Sequence, residues 1–175
     1  MKYKKQIMPR FFILLCCLFG FQLQLTAQSN VKTQAEKMGQ ALVSKNYVDF
    51  TRYTYPKILK EMGGTEKMAA TIRSQMENME KTGVKILSLS YGEPSEIIKE
   101  KKEWQCTVPQ IMTLKINSGK IISKTTLIAI SQDEGKQWYF VDAGERDLET
   151  VRITLPNLSK KLVLPPMEMP QMISE

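Results

Sequence analysis

The strongest pattern in this sequence is an alternation of apolar and polar side chains between residues 104 and 117. Successive side chains of a β-strand point to opposite faces, so the alternation predicts a long antiparallel strand with one buried face. Pro109 interrupts the run without changing its parity, which predicts an edge or a kink there. We expect one set to face the core (Trp104, Cys106, Val108, Met112, Leu114, Ile116) and the other to face solvent or a partner (Gln105, Thr107, Thr113, Lys115, Asn117).

Helical patterns precede this strand, and shorter β-forming runs flank it. Thr33 to Glu36 matches a capping box at the start of the first helix. The second helix is interrupted at Pro56, which fits the first turn of a helix but not its interior. The order predicts an α+β fold with three N-terminal helices packed on an antiparallel sheet. The third helix is predicted over residues 66–81, and further strands over 84–91, 96–103, 121–131 and 137–143.

The first 27 residues have the composition of a secretory signal peptide. Basic residues lead into an apolar run over 11–21, too short to span a bilayer, and Ala27 provides a cleavage site before Gln28. We expect an exported protein, periplasmic or secreted, without a stable membrane anchor. The segment holds four of the 25 basic and none of the 18 acidic residues, so residues 28–175 carry a net charge of +3. This small charge argues against nucleic-acid binding.

Four short motifs accompany the order of elements over residues 31–144. They are Asn46-Tyr47 to Phe50, Thr54-Tyr55-Pro56-Lys57, Gly63-Gly64 and Trp138-Tyr139-Phe140-Val141-Asp142. Together they resemble the nuclear-transport-factor-2-like superfamily, the cystatin-like cone, and the chain looks most like its small exported members without an assigned reaction. The resemblance implies a sheet that curls around the helices, giving a cone-shaped domain over residues 28–145 with a conical cavity. Residues 146–175 would then form a C-terminal extension with a Pro/Met-rich tail.

Such a cavity predicts a binding function. We expect a non-enzymatic binding or interaction module without a cofactor, whose partner is a small apolar ligand or another protein. A structural envelope protein that dimerises through the polar sheet face is an alternative. The candidate ligand-binding residues have apolar bodies, most of them with a polar tip: Tyr53, Tyr91, Trp104, Trp138 and Phe140.

The second alternative is an enzyme, and its chemistry is restricted because the chain contains no histidine. Ser-His-Asp and Cys-His catalysis are therefore excluded. Asp142 shares strand parity with Trp138 and Phe140, so it is the candidate general base of an isomerase or dehydratase, with Tyr53 or Tyr91 opposite. The competing interpretation is a strand-end aspartate that binds loop amides.

Two further motifs have structural and functional interpretations. Ser131 to Trp138 matches the Ser-x-Asp-x-Gly-x-x-Trp box of sialidase-type propellers, but a single copy predicts only a hairpin turn. Met167, Met169 and Met172 are spaced as a candidate Cu(I) site, although incidental methionines in an extended Pro-rich tail are commoner. Residues 147–155 are predicted to form a capped helix, with a strand as the alternative.

Overall fold

The computed structural model describes residues 28–144, 147–166 and 168–174, and the predicted signal segment lies outside them. No helix in these ranges is long and apolar enough to cross a membrane. Within the described residues, four helices precede the strands and a fifth lies after β5. They are α1 (residues 28–43), α2 (Tyr47–Thr51), α3 (Pro56–Glu61), α4 (Thr65–Lys81) and α5 (Leu148–Thr154).

The strands form one antiparallel sheet, which confirms the predicted α+β fold. Four strands lie in the order β1-β3-β4-β5, while β2 pairs with β3 and β6 pairs with β4. The long hairpin of β3 and β4 therefore forms the centre of the sheet. The strands are β1 (Lys85–Tyr91), β2 (Ile98–Glu100), β3 (Glu103–Ile116), β4 (Gly119–Ser131), β5 (Tyr139–Asp142) and β6 (Gln171–Ile173).

The helical region differs from the prediction at α1 and agrees with it at Pro56. Residue 28 is already helical, so Thr33 lies inside α1 and the predicted capping box is wrong. The interruption predicted at Pro56 is confirmed, and it divides the predicted second helix into α2 and α3, with Thr54 between them in an isolated bridge to Phe140. Pro56 occupies the first helical turn, where its missing N–H leaves no hydrogen bond unmade.

The first face of the sheet packs against α1 around Cys106, as the alternation predicts, whereas Met112, Leu114 and Ile116 farther along β3 are only half-buried and lie outside the core clusters. Cys106 and Val108 are completely buried there and belong to one core cluster with Val31 and Ala35 of α1. Cys106 is a buried apolar residue, and its burial raises the pKa of the thiol to about 12. A neutral, inaccessible thiol of this kind packs as a small hydrophobe.

The second face of the sheet is also covered, so the prediction that Gln105 and Thr107 face solvent or a partner is wrong. Both are buried by α5 and the chain that follows it, whose Leu155 and Leu158 join a second core cluster. The Gln105 amide nitrogen donates to the Asn157 carbonyl at 3.0 Å, and its oxygen accepts from the Ser159 N–H at 2.8 Å. A buried amide is stable here because both its ends are hydrogen-bonded.

We expect Gln105→Ala to lower the free energy of unfolding by about 1–3 kcal/mol, because the buried Ser159 N–H loses its acceptor. Urea denaturation measures the loss, and limited proteolysis should cut residues 155–166 faster. Thr113→Ala is the control on the same strand parity, where a half-exposed side chain should change stability by about 0.5 kcal/mol at most. Equal losses in the two variants would contradict the role of Gln105.

Candidate functional site

The five candidate ligand-binding residues all contribute to the first core cluster. Trp138, Phe140 and Tyr91 are buried members of it, while Tyr53 and Trp104 are partly buried and pack against it. The rings of Tyr53 and Phe140 lie 6.5 Å apart. The structure thus brings the five together as packing between α1 and the sheet, and ligand contact by them stays a prediction.

The hairpin turn before β5 has the structure that its motif predicts. The Ser131 hydroxyl donates to the Asp133 carboxylate at 2.9 Å and accepts from the Gly135 N–H at 2.9 Å. Gly135 has φ +85°, and the fully buried Trp138 donates its indole N–H to the Gly135 carbonyl at 3.0 Å. Gln34 of α1 then accepts from the Trp138 backbone N–H at 2.9 Å. The motif therefore has a structural role, because its hydrogen bonds hold the turn together and join it to α1.

Tyr91 presents a buried hydroxyl that has no hydrogen-bond partner among the described residues. A Cβ at Gly39 would lie 2.5 Å from this hydroxyl, so the absence of a side chain in α1 makes room for the ring. Burial raises the pKa of Tyr91 well above its usual range. Tyr91 is therefore a neutral packing residue that carries an unsatisfied polar atom.

Asp142, the candidate general base, is exposed at the end of β5. Its carboxylate accepts the Gly144 backbone N–H at 2.8 Å. This is the geometry of an aspartate that binds loop amides, with the carboxylate outside the core formed by Trp138 and Phe140.

The methionines of the tail do not converge in the described residues. Met169 is 87% exposed, Met172 lies on β6 and is 65% exposed, and Met167 lies outside the described residues. No group of three or more His, Cys, Asp or Glu side chains suited to a metal ion occurs in the described part of the chain.

A buried polar network that the sequence did not indicate lies on the second face. The Glu103 carboxylate accepts from the Tyr55 hydroxyl at 2.8 Å, from Gln132 at 2.9 Å and from Gln105 at 3.0 Å. Burial and the hydrogen bond to Glu103 raise the pKa of Tyr55 to about 12. Glu103 ends a charged run over residues 96–103, a composition that is typical of an exposed edge strand. It is buried instead because Tyr55 and Gln132, which are distant in sequence, bond its carboxylate.

A groove of about 550 Å³ lies beside this face, between the centre of the β3–β4 hairpin, the start of α5 and the tail. Its floor is formed by the two strands and its walls by the chain on either side. Apolar side chains predominate in the walls. The lining residues are Pro109, Gln110, Ile111, Lys124, Thr125, Thr126, Ala143, Gly144, Asp147, Leu148, Leu164, Pro165, Pro166 and Glu168.

The groove lies over a gap in the strand pairing of β4. On the side of β4 away from β3, residues 127–130 pair with β5 and residues 120–122 pair with β6. Residues 123–126 lie opposite neither strand. A short segment of strand edge is therefore left without a strand partner among the described residues.

The chain leaves β4 on one side of the gap and joins it on the other. Gly144 has φ +57°, which turns the chain away from β4 just after β5 ends. On the other side, pairing begins only at Gln171, directly after Pro170. The turn at Gly144 and the start of β6 therefore define the two ends of the gap.

Backbone alternation fixes which groups of β4 point into the gap. The Pro109 carbonyl accepts from the Gly92 N–H at 2.9 Å, so Pro109 directs its backbone away from β4. Its register partner Thr126 therefore belongs to a non-hydrogen-bonded pair and directs its N–H and C=O away from β3. Alternation gives Lys124 the same direction, while Thr125 points towards β3. Lys124 thus directs its N–H and C=O into the gap, and Thr126 directs its N–H there, while the Thr126 carbonyl lies beside Ala143 at the end of the β5 ladder.

Charged side chains line both ends of the groove. The Lys124 ammonium of β4 forms an ion pair with the Glu168 carboxylate of the tail, at a distance of 2.8 Å. Asp147 caps α5 by accepting the Thr150 N–H at 2.7 Å, and hydrogen bonds from that residue lower the pKa of the Asp147 carboxyl. The helical cap that the sequence predicts at Asp147 is therefore confirmed. The charged groups of Lys124, Glu168 and Asp147 all have partners within the chain. The apolar walls and the strand edge are the features that remain for contact with a ligand.

Comparison with known proteins assigns no family. No protein-family model matches the chain, and no curated protein matches it at a significant level. The antiparallel sheet with helices mostly before it is compatible with a cone-like fold. Function is therefore argued from the geometry of the chain itself.

We expect Tyr91→Phe to leave stability unchanged or to raise it by about 1 kcal/mol, because it removes a buried hydroxyl without a partner. Tyr55→Phe is the matched control and should lower stability by about 1–3 kcal/mol, since it removes a donor to the Glu103 carboxylate. Urea denaturation compares the two. A clear loss in Tyr91→Phe would mean that its hydroxyl does have a partner.

We expect stability to depend on Tyr55 in alkaline solution. An unfolded tyrosine has a pKa of about 10, whereas the folded Tyr55 has a pKa of about 12. Between these values the unfolded chain releases a proton that the folded chain keeps, so this contribution is complete below pH 10 and is lost as the pH rises to 12. The advantage of the parent protein over Tyr55→Phe in urea should shrink across this range. A constant advantage would contradict the shift.

Proposed function

We propose that this protein is an exported interaction module of nuclear-transport-factor-2-like architecture that binds an extended peptide segment along the unpaired edge of β4. The observation that carries the proposal is the gap at residues 123–126, where Lys124 directs a backbone donor and acceptor, and Thr126 a backbone donor, into a groove. An added strand satisfies such groups with its own backbone, in the manner of β-augmentation.

The size of the gap determines the length of segment that fits. Four strand residues span about 13 Å, and β5 and β6 limit pairing at the two ends. A longer peptide would have to leave the edge or displace β6, which is only three residues long and exposed throughout. The groove therefore favours a short extended segment.

The walls of the groove select for apolar side chains on that segment. Ile111, 39% exposed, lies on the floor, and Leu148 and Leu164 line the walls. Side chains alternate in an extended peptide, so every second one would enter the groove. The backbone supplies affinity and these contacts supply specificity.

The observations favour this proposal over the two alternatives. Asp142 is exposed and binds a loop amide, so it does not lie in the apolar cavity that the enzyme hypothesis requires. The sheet face predicted to form a dimer is partly covered by α5 and the following chain. Among the described residues, the β4 edge in its groove offers backbone groups that pair with neither β5 nor β6.

The test begins with heptapeptides selected from a displayed random library and measures their affinity by calorimetry. We expect alternating apolar sequences, and we expect Ile111→Lys to weaken binding at least about tenfold, because it places a charge in an apolar groove. Leu87→Lys is the matched control, since Leu87 is a strand residue with 38% exposure against 39% for Ile111 but lies outside the groove. The Leu87→Lys variant should bind the selected peptides with unchanged affinity.

Amide hydrogen exchange provides a direct readout of strand addition. Bound peptide should slow exchange at Lys124 and Thr126, while Thr125, already directed towards β3, should change little. Slowing along β1 instead, equal losses of affinity in the two lysine variants, or a library that yields no binder would each overturn the proposal.

A further inference from the structure

Five lysines are concentrated at the end of the sheet where β2 turns into β3. One lies on β2, two lie in the turn, and two lie in the chain after α5. All five are exposed. They are Lys99, Lys101, Lys102, Lys160 and Lys161, and we call them the lysine cluster.

Contacts between the turn and the C-terminal chain bring the cluster together. The Lys101 ammonium donates to the Asn157 side-chain oxygen at 3.4 Å, which fixes the turn beside the chain that carries Lys160 and Lys161. Lys99 and Lys161 line the same groove of about 440 Å³. Residues some 60 positions apart therefore contribute to one surface.

The cluster is only partly neutralised. Among the described residues, none of its members lies within 4.0 Å of a carboxylate, whereas at least six basic side chains elsewhere do. Its acidic neighbours are Glu96 and Glu100, together with the buried Glu103, whose carboxylate is hydrogen-bonded inside the core. The five lysines outnumber these three carboxylates, so this end of the molecule carries a net positive charge.

Apolar side chains accompany the charges. Val163 is 73% exposed and lines the groove with Lys99 and Lys161. The Lys99 ammonium lies 4.4 Å from the centre of the half-buried Trp104 ring, and both side chains lie on the first face of the sheet because the two residues are register partners. A surface that combines several cations with an exposed aliphatic side chain has the composition of a membrane-interface contact.

We infer that the lysine cluster binds the surface of a bilayer rich in anionic phospholipid. A compact site for one anion would hold buried donors aimed at a single point, whereas these ammonium groups are exposed and spread over two segments. The long lysine side chains suit many headgroup phosphates, because each is a flexible point charge and no fixed bidentate geometry is required. The inference is independent of the peptide groove, which lies at the centre of the β3–β4 hairpin.

The test is co-sedimentation of the purified full chain with vesicles of phosphatidylcholine alone or of phosphatidylcholine mixed with phosphatidylglycerol. We expect binding to require phosphatidylglycerol and to weaken with added salt. The triple variant Lys99→Gln, Lys101→Gln, Lys102→Gln should lose about 100-fold in partitioning, a factor of about five for each lysine. The apolar run over residues 11–21, where retained, contributes equally to every variant.

The matched control replaces Lys37, Lys60 and Lys67 by Gln, which changes the net charge equally at exposed positions on α1, α3 and α4. Thermal unfolding checks that both triple variants are folded. A much smaller loss in the control supports the inference, and Val163→Asp should also weaken binding. Equal losses in the two triples, equal binding to both vesicle types, or binding to heparin or nucleic acid without binding to vesicles would overturn it.

Discussion

The side-chain amide of Gln105 determines how the C-terminal chain packs on the sheet. It lies on the second face, is completely buried, and bonds Glu103, Asn157 and Ser159. A buried amide needs these partners, so residues 155–162 have to cover the strand if Gln105 is to remain in the core. The C-terminal chain is therefore held at a fixed position, and the groove and the lysine cluster both take their geometry from it.

On the first face, a buried glutamine amide of α1 plays the same role. The Gln34 amide of α1 donates to the Lys136 carbonyl at 2.8 Å and accepts from the Trp138 N–H at 2.9 Å. Each cover of the sheet is thus fastened by a glutamine that bonds the backbone of a distant segment, in addition to its apolar contacts. These bonds fix the orientation of helix and tail, since burial of apolar area alone is not directional.

Local patterns predicted the parts of the structure that depend on near neighbours. The alternation around Cys106 identified the apolar parity of β3 that packs on α1, and the motif at Ser131 identified the turn and its buried Trp138. The burial of Gln105 could not be predicted in this way, because its cover comes from chain some 50 residues later. The groove was missed for the same reason, since it depends on where two distant strands stop pairing with β4.

The proline content of the tail determines what kind of site this groove can be. Pro165 and Pro166 form part of its wall and Pro170 immediately precedes β6, so three residues with fixed φ lie between the chain held by Gln105 and the strand that follows. A wall of this stiffness loses little conformational freedom when a ligand enters, and the entropy loss falls mainly on the ligand. The backbone groups of β4 are held by β3 in the same way. The groove is therefore preorganised, which favours a partner that is itself extended before it binds.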